Sequence, residues 1–372
     1  MIYPVCFFIS VFFAYLAKRS RRKAAFLLFS VLSIAVTVVL AGLCGVTVGI
    51  DTHNYFEGSW ARAVALADLS LPEYVVAYVE GSRSRFEALF GLLLGIVVRT
   101  TGSYQVFLGM VHLIIIGGVY IGAFRFRHHA SPELTLLLFY LLYYGQSLNI
   151  FRQYMAMAVI FAAAADIEQG KHLRYVFFVA LGFLFHNTGV IGLAPLMVYR
   201  VLYPANPRRD TTMLRKLVTC TAIVGGAVAF VPLAKWLIQI GILSRKYLYY
   251  FNGEEVSSYK LVFMFLAVEV VGMVIFWKRF RKNNIRAEFY LFCSVSFMAL
   301  YAMGTTINYG RRIAAYFAFL NIISLGMMVN GQKLRSNRRL VCAAVVLVVL
   351  VYWGYAYYLR NAHGVMPYVL YF

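Results

Sequence analysis

Acidic side chains are scarce: 372 residues carry 14 Asp and Glu against 35 Lys and Arg, and charged residues make up only 13% of the chain. A soluble domain is nearer a quarter charged, so an ordinary cytosolic enzyme is excluded. A disordered chain is excluded too, since that needs low hydrophobicity. The five cysteines (Cys6, Cys44, Cys220, Cys293 and Cys342) all lie in apolar stretches with no CxxC spacing. They imply neither a disulfide framework nor a cysteine metal site. Six histidines besides His186 are scattered without ligand spacing, and no DxD motif is present. No metal and no cofactor is therefore expected. A P-loop is missing as well, which removes an ATP-driven pump. No internal repeat is visible, and no linker is long enough to separate two soluble domains.

What is there is apolar surface. Hydrophobic residues make up 62% of the chain, and a spanning helix needs about 20 of them in sequence. Candidate runs lie at roughly 2–17, 24–45, 86–98, 103–123, 133–149, 151–167, 174–186, 188–203, 217–240, 260–277, 287–303, 312–330 and 340–357. The first run has no basic stretch before it and no small-residue cleavage site after it, and reads as an anchor rather than a removable signal. The expected fold is all-α: one polytopic transmembrane bundle over 1–372.

The net charge of +21 would suggest nucleic acid in a soluble protein. Here the basic residues fall in clusters between apolar runs, so they report topology and no nucleic acid is expected. Lys18–Lys23, Arg200–Lys216, Lys278–Arg286 and Lys333–Arg339 should all face the cytoplasm by the positive-inside rule. Between the first two clusters the number of runs is odd, so one run must not cross. The weakest is 86–98, flanked by Arg85, Glu87 and Arg99. If it dips in and returns, the count is about twelve spans with both termini outside. The outer face then carries a loop at 45–85, a second at 241–260 and a turn at Thr305–Arg312.

Several polar residues sit where a membrane tolerates them poorly, at about 2.5–3.5 kcal/mol per charge on insertion scales. Asn149, Arg152 and Gln153 fall at a junction between two runs. If that junction is helical, their spacing makes one polar face. The plainer alternative is an arginine at a helix end reaching the interface. His186-Asn187-Thr188-Gly189 interrupts a long apolar run, a helix-breaking composition, and places a proton-exchanging side chain there. The alternative is a satisfied polar turn. Tyr309, Arg311 and Arg312 lie on the side expected to be outside, against the charge trend, and paired arginines suit phosphate oxygens. In the first loop Asp51, Arg85 and Glu87 are further candidates, though a loop Asp is usually plain solvated surface. Glu269 is the one carboxylate deep in an apolar run, a proton relay or a helix-helix contact. Arg245, Lys246 and Glu254–Glu255 are weaker candidates.

These pieces, in order, resemble the EpsG/Wzy-type family of bacterial O-antigen and exopolysaccharide polymerases. They are GIDTHNY (49–55), RFEALF (85–90), SLNIFRQYMAMAV (147–159), LFHNTGVIGL (184–193) and RRIAAYF (311–317). The sharpest is N-x-x-R-Q-x-x-A, at Asn149, Arg152, Gln153 and Ala156. One departure is the Ala88-Leu89 context that follows Glu87.

The resemblance implies a GT-C-like, metal-independent glycosyltransferase in the bacterial inner membrane with a periplasmic active face. It would transfer a growing glycan from undecaprenyl pyrophosphate to a new lipid-linked repeat unit, with membrane lipid and a chain-length regulator protein as further partners. Charge developing on the leaving pyrophosphate calls for fixed donors. Arg152, Arg311 and Arg312 fit that role, and His186 or Asp51 fits the base. Asn149, Gln153, Arg85, Glu87 and Tyr309 are expected to bind substrate. On this reading Arg152, His186 and Arg311 meet in one pocket that opens away from the cell interior. A flippase for the same lipid-linked sugar, an O-antigen ligase or a membrane acyltransferase acting on sugars are the alternatives.

Overall fold

The computed structural model describes residues 2–81, 87–204, 212–240, 259–282, 286–302 and 310–371. Their regular structure is helical, apart from one isolated bridge between Cys44 and Leu370. The chain parts into two compact units, residues 1–190 with 339–372 and residues 191–338.

In the first unit, α1 (Ile2–Arg19) and α2 (Lys23–Gly42) form an antiparallel pair. Within the stretch that the sequence places in a loop at 45–85, residues 50–65 and 71–80 are helical instead. They form α3 (Ile50–Asn54), a wide helical segment at Tyr55–Trp60, α4 (Ala61–Ala65) and α5 (Leu71–Glu80). At the start of α5 the Glu73 carboxylate turns back on the cap residue and accepts from the Ser70 N–H at 3.1 Å and from its hydroxyl at 2.6 Å. These helices are too short to register as apolar runs. They bury one face each, through Thr52, Trp60, Ala63, Tyr74 and Tyr78, and α4 and α5 lie against α6 (Ala88–Thr100). Arg99 of α6 donates to the Leu69 carbonyl at 2.8 Å and lies 4.4 Å over the Tyr74 ring.

The remaining helices of this unit are α7 (Tyr104–Arg125), α8 (Pro132–Phe139), α9 (Gly145–Ser147), α10 (Phe151–Ala163), α11 (Ala165–Glu168) and α12 (His172–Phe185). Helix α7 packs on α10, and α10 on α12. Small residues permit this closeness, as is usual where apolar burial alone cannot draw helices together. A Cβ on Gly118 would lie 2.6 Å from the Ala158 carbonyl oxygen. Gly118→Val should therefore cost about 1–3 kcal/mol through overpacking, read as a lower melting temperature in detergent. An unchanged midpoint would contradict this backbone contact. At one end of the three helices, Asp166 is fully buried and is gripped by both Arg125 and Arg174.

The second unit contains α13 (Leu193–Leu202), α14 (Thr212–Gln239), α15 (Tyr259–Ile275), α16 (Trp277–Lys282), α17 (Ala287–Ala302) and α18 (Gly310–Asn330). Here α17 packs along α18 and α15 against α17. Glu269 of α15 is buried, and both its oxygens accept from Asn321 Nδ2 of α18 at 2.9 Å. That is the helix-helix contact among the two readings of this carboxylate. Arg245, Lys246, Glu254 and Glu255 lie outside the described residues. Finally α19 (Arg335–Trp353) leads back to the first unit.

Five of the described helices are long and apolar enough to cross a membrane: Ile2–Arg19, Lys23–Gly42, Tyr104–Arg125, Arg311–Asn330 and Arg335–Leu359. The shorter apolar ones include α6, whose 13 residues rise about 20 Å. That is less than the ~30 Å of a hydrocarbon core. The chain is an all-helical, polytopic membrane protein.

Candidate functional site

Three interruptions of helical structure, far apart in the chain, converge in the first unit. The first is the start of α6, where Glu87 takes the N-cap position with φ −92° and ψ 50°. The second is Ile150, whose φ of −94° and ψ of 53° end the preceding helical stretch, so that α10 begins afresh and puts Arg152 in its first turn. The third is His186, extended at φ −154° and ψ 128°, which stops α12. The chain then winds tightly through Asn187–Gly192. Gly189 donates its N–H to the His186 carbonyl at 2.7 Å. A Cβ there would lie 2.6 Å from the Phe183 nitrogen, so the turn needs glycine.

Glu87 is the hub. Its side chain is 2% exposed. Oε1 accepts from His186 Nδ1 at 2.6 Å, and Oε2 accepts from Arg152 Nη1. Burial pushes the Glu87 carboxyl up. The hydrogen bond from His186 and the Arg152 charge outweigh it and hold the group below the usual carboxylate range. An ionised carboxylate accepts only, so the bond places the imidazole proton on Nδ1. Nε2, the other ring nitrogen, takes no hydrogen bond among the described residues. Arg152 and His186 are reachable, with side chains 27% and 17% exposed.

Aromatic rings hold the guanidinium. Arg152 lies 5.4 Å from the Tyr55 ring centroid and 5.5 Å from that of Phe90, and Nε donates to the Tyr55 hydroxyl at 3.4 Å. Tyr55 stacks on Phe151, the residue beside Arg152, at 4.6 Å. Tyr78 feels the charges of both Arg152 and Glu87 and hydrogen-bonds Ser59. Among the described residues no group of three His, Cys, Asp or Glu side chains is placed to hold a metal ion.

Of the residues singled out in the sequence, Arg152, His186 and Glu87 come together. Asn149 and Gln153 do not share a polar face with Arg152, because the break at Ile150 removes the helical register that such a face requires. Asn149 is instead a backbone clamp. Its Oδ1 accepts from the Asp51 N–H at 2.9 Å, and Nδ2 donates to the His363 carbonyl at 3.0 Å and to Gly145 at 3.3 Å. Gln153 is buried inside α10. Asp51 is half-buried in α3, tied to Asn149 through its backbone. Gly49, just before it, has φ +95°, a conformation natural to glycine. Arg85 and Tyr309 lie outside the described residues. Arg311 and Arg312 open α18 in the second unit, where Arg311 hydrogen-bonds Tyr301.

Sequence reasoning gave Glu87 a substrate-binding place and missed its part as the link between two basic groups. It missed Tyr55 and Phe90 altogether, although one ends GIDTHNY and the other ends RFEALF.

No curated protein and no solved structure matches this chain. The EpsG family model matches residues 26–370, a range that includes every residue of the Glu87–Arg152–His186 cluster. The chain is a member of the EpsG family.

Proposed function

We propose that the chain is a surface-polysaccharide polymerase of the Wzy type. It transfers a growing glycan from undecaprenyl pyrophosphate to the outer sugar of a new lipid-linked repeat unit, at the periplasmic face of the inner membrane and without a metal. The observation that supports this most is the arrangement of His186. Its Nδ1 is held by a buried carboxylate while Nε2 is left to work beside a guanidinium.

The chemistry follows from that pairing. An acceptor sugar hydroxyl attacks the anomeric carbon of the donor glycan. The bond from that carbon to the phosphate oxygen breaks, and its electron pair stays on the pyrophosphate. The hydroxyl proton passes to Nε2 of His186. The imidazolium that forms is stabilised by Glu87, the orienting role a carboxylate plays behind any histidine base. Such a base contributes typically 10²–10⁴-fold. Arg152 gives Nη1 to Glu87 and keeps Nη2 for the negative charge that grows on the leaving group, a kind of donor worth about 2.7–4 kcal/mol.

A deletion strain tests the assignment. It should display single repeat units on the outer face. Repeat units accumulating towards the cytoplasm would mark a flippase instead, and finished polymer left on its lipid carrier would mark a ligase.

A further inference from the structure

Tyr55 takes no part in the chemistry set out so far, yet its position is heavily constrained. It opens the segment Tyr55–Trp60, wound one residue wider than an α-helix. Wide turns of this kind are rare and recur at functional sites. The helix before it is pinned from three sides. Thr52 Oγ1 donates to the Leu148 carbonyl at 2.8 Å, the Tyr104 hydroxyl donates to the Thr52 carbonyl at 3.0 Å, and Asn149 holds the Asp51 N–H at 2.9 Å. The ring is stacked on Phe151 with planes 20° apart, and the Arg152 guanidinium lies over it at 5.4 Å.

The hydroxyl is as constrained as the ring. Its oxygen accepts the Nε–H of Arg152 at 3.4 Å, so its own proton turns away from the cation. Accepting from a charged donor strengthens that O–H as a donor in turn. Packing requires the ring alone. The phenolic O–H and the Arg152 Nη2 are donors on two side chains in direct contact, and both suit an oxyanion.

We propose that Tyr55 is a further catalytic residue, whose O–H donates to the same diphosphate oxygens that Arg152 binds. This rests on the polymerase reading. As the anomeric carbon–oxygen bond breaks and its electron pair moves onto the diphosphate, the Tyr55 hydrogen bond strengthens without transferring its proton. The proton of the attacking hydroxyl still goes to His186.

Tyr55→Phe is the discriminating variant, because it keeps the stacked ring and removes only the hydroxyl. Purified protein in lipid vesicles would be given lipid-diphosphate-linked repeat units, with inorganic pyrophosphate as a product-like inhibitor. Turnover should fall about 100-fold, and the pyrophosphate concentration for half inhibition should rise about tenfold. Turnover equal to wild type would overturn the proposal. So would lowered turnover with unchanged pyrophosphate inhibition, since the hydroxyl would then serve only to hold Arg152. If the wild type forms no polymer in the same assay, the polymerase reading itself fails, and the role of Tyr55 falls with it.

Discussion

Arg152→Ala should abolish long glycan chains. The guanidinium serves three partners: the Glu87 carboxylate, the Tyr55 hydroxyl and, on the proposed reaction, the leaving diphosphate. Losing one preorganised donor of this kind costs about 10²–10³ in turnover. The alanine variant also leaves Glu87 buried without its cation, and breaking such a pair from one side typically costs about 3–5 kcal/mol. A fall in activity could thus reflect unfolding, so Arg152→Lys is the necessary companion. Lysine restores the charge beside Glu87 and with it most of the stability. It lacks the planar fork that reaches several partners at once, so turnover should stay low. A lysine variant with wild-type chain lengths would mean that Arg152 supplies charge for folding and nothing to the reaction.

Glu87→Gln should be nearly as damaging, by on the order of 10²–10⁴-fold. The amide keeps the shape of the carboxylate but removes the charge that fixes the Nδ1 proton and stabilises the imidazolium. It also gives a readout in stability. Burial raises the Glu87 pKa, and the His186 hydrogen bond and the Arg152 charge lower it by more, for a net value below the ordinary one. A depressed carboxylate contributes stability above its unfolded pKa, about 4.3, and that contribution is lost as pH falls through the folded value beneath it. The melting temperature of the wild type should therefore exceed that of Glu87→Gln at every pH from 5 to 8. The two curves should converge only in more acidic buffer. Convergence already near pH 6 would show that Glu87 is not held ionised by its two basic neighbours.

Much of the scaffold was legible in the sequence because lipid-crossing segments are written in composition. The apolar runs at 2–17, 24–45 and 103–123 return as α1, α2 and α7 with ends displaced by a few residues. The break at His186 was legible as well, since Asn187, Thr188 and Gly189 leave little reason for a helix to continue. The helices between Ile50 and Glu80 were not. They are brief, mixed in polarity, and helical because one face of each finds cover, partly on α6. The junction at Ile150 was legible as the gap between the runs 133–149 and 151–167, but its non-helical backbone was not, and that geometry undid the expected polar face of Asn149, Arg152 and Gln153.

The site was legible as a set of residue types and not as an arrangement. Glu87 and His186 are 99 positions apart and Glu87 and Arg152 are 65 apart, separations that no periodicity connects. Their chemistry could be guessed from the oddity of charge in an apolar chain. That one carboxylate joins both basic groups, and so decides which imidazole nitrogen is available, follows only from the folded geometry.

A single-turnover experiment bears most directly on the Glu87–Arg152–His186 site. Vesicles holding the protein would receive lipid-diphosphate-linked repeat units, and new glycosidic bonds and released lipid diphosphate would be counted together. The wild type should release one lipid diphosphate per bond formed, and His186→Ala, present in the membrane at the same level, should form almost none. Chain growth by His186→Ala at the wild-type rate would contradict the account.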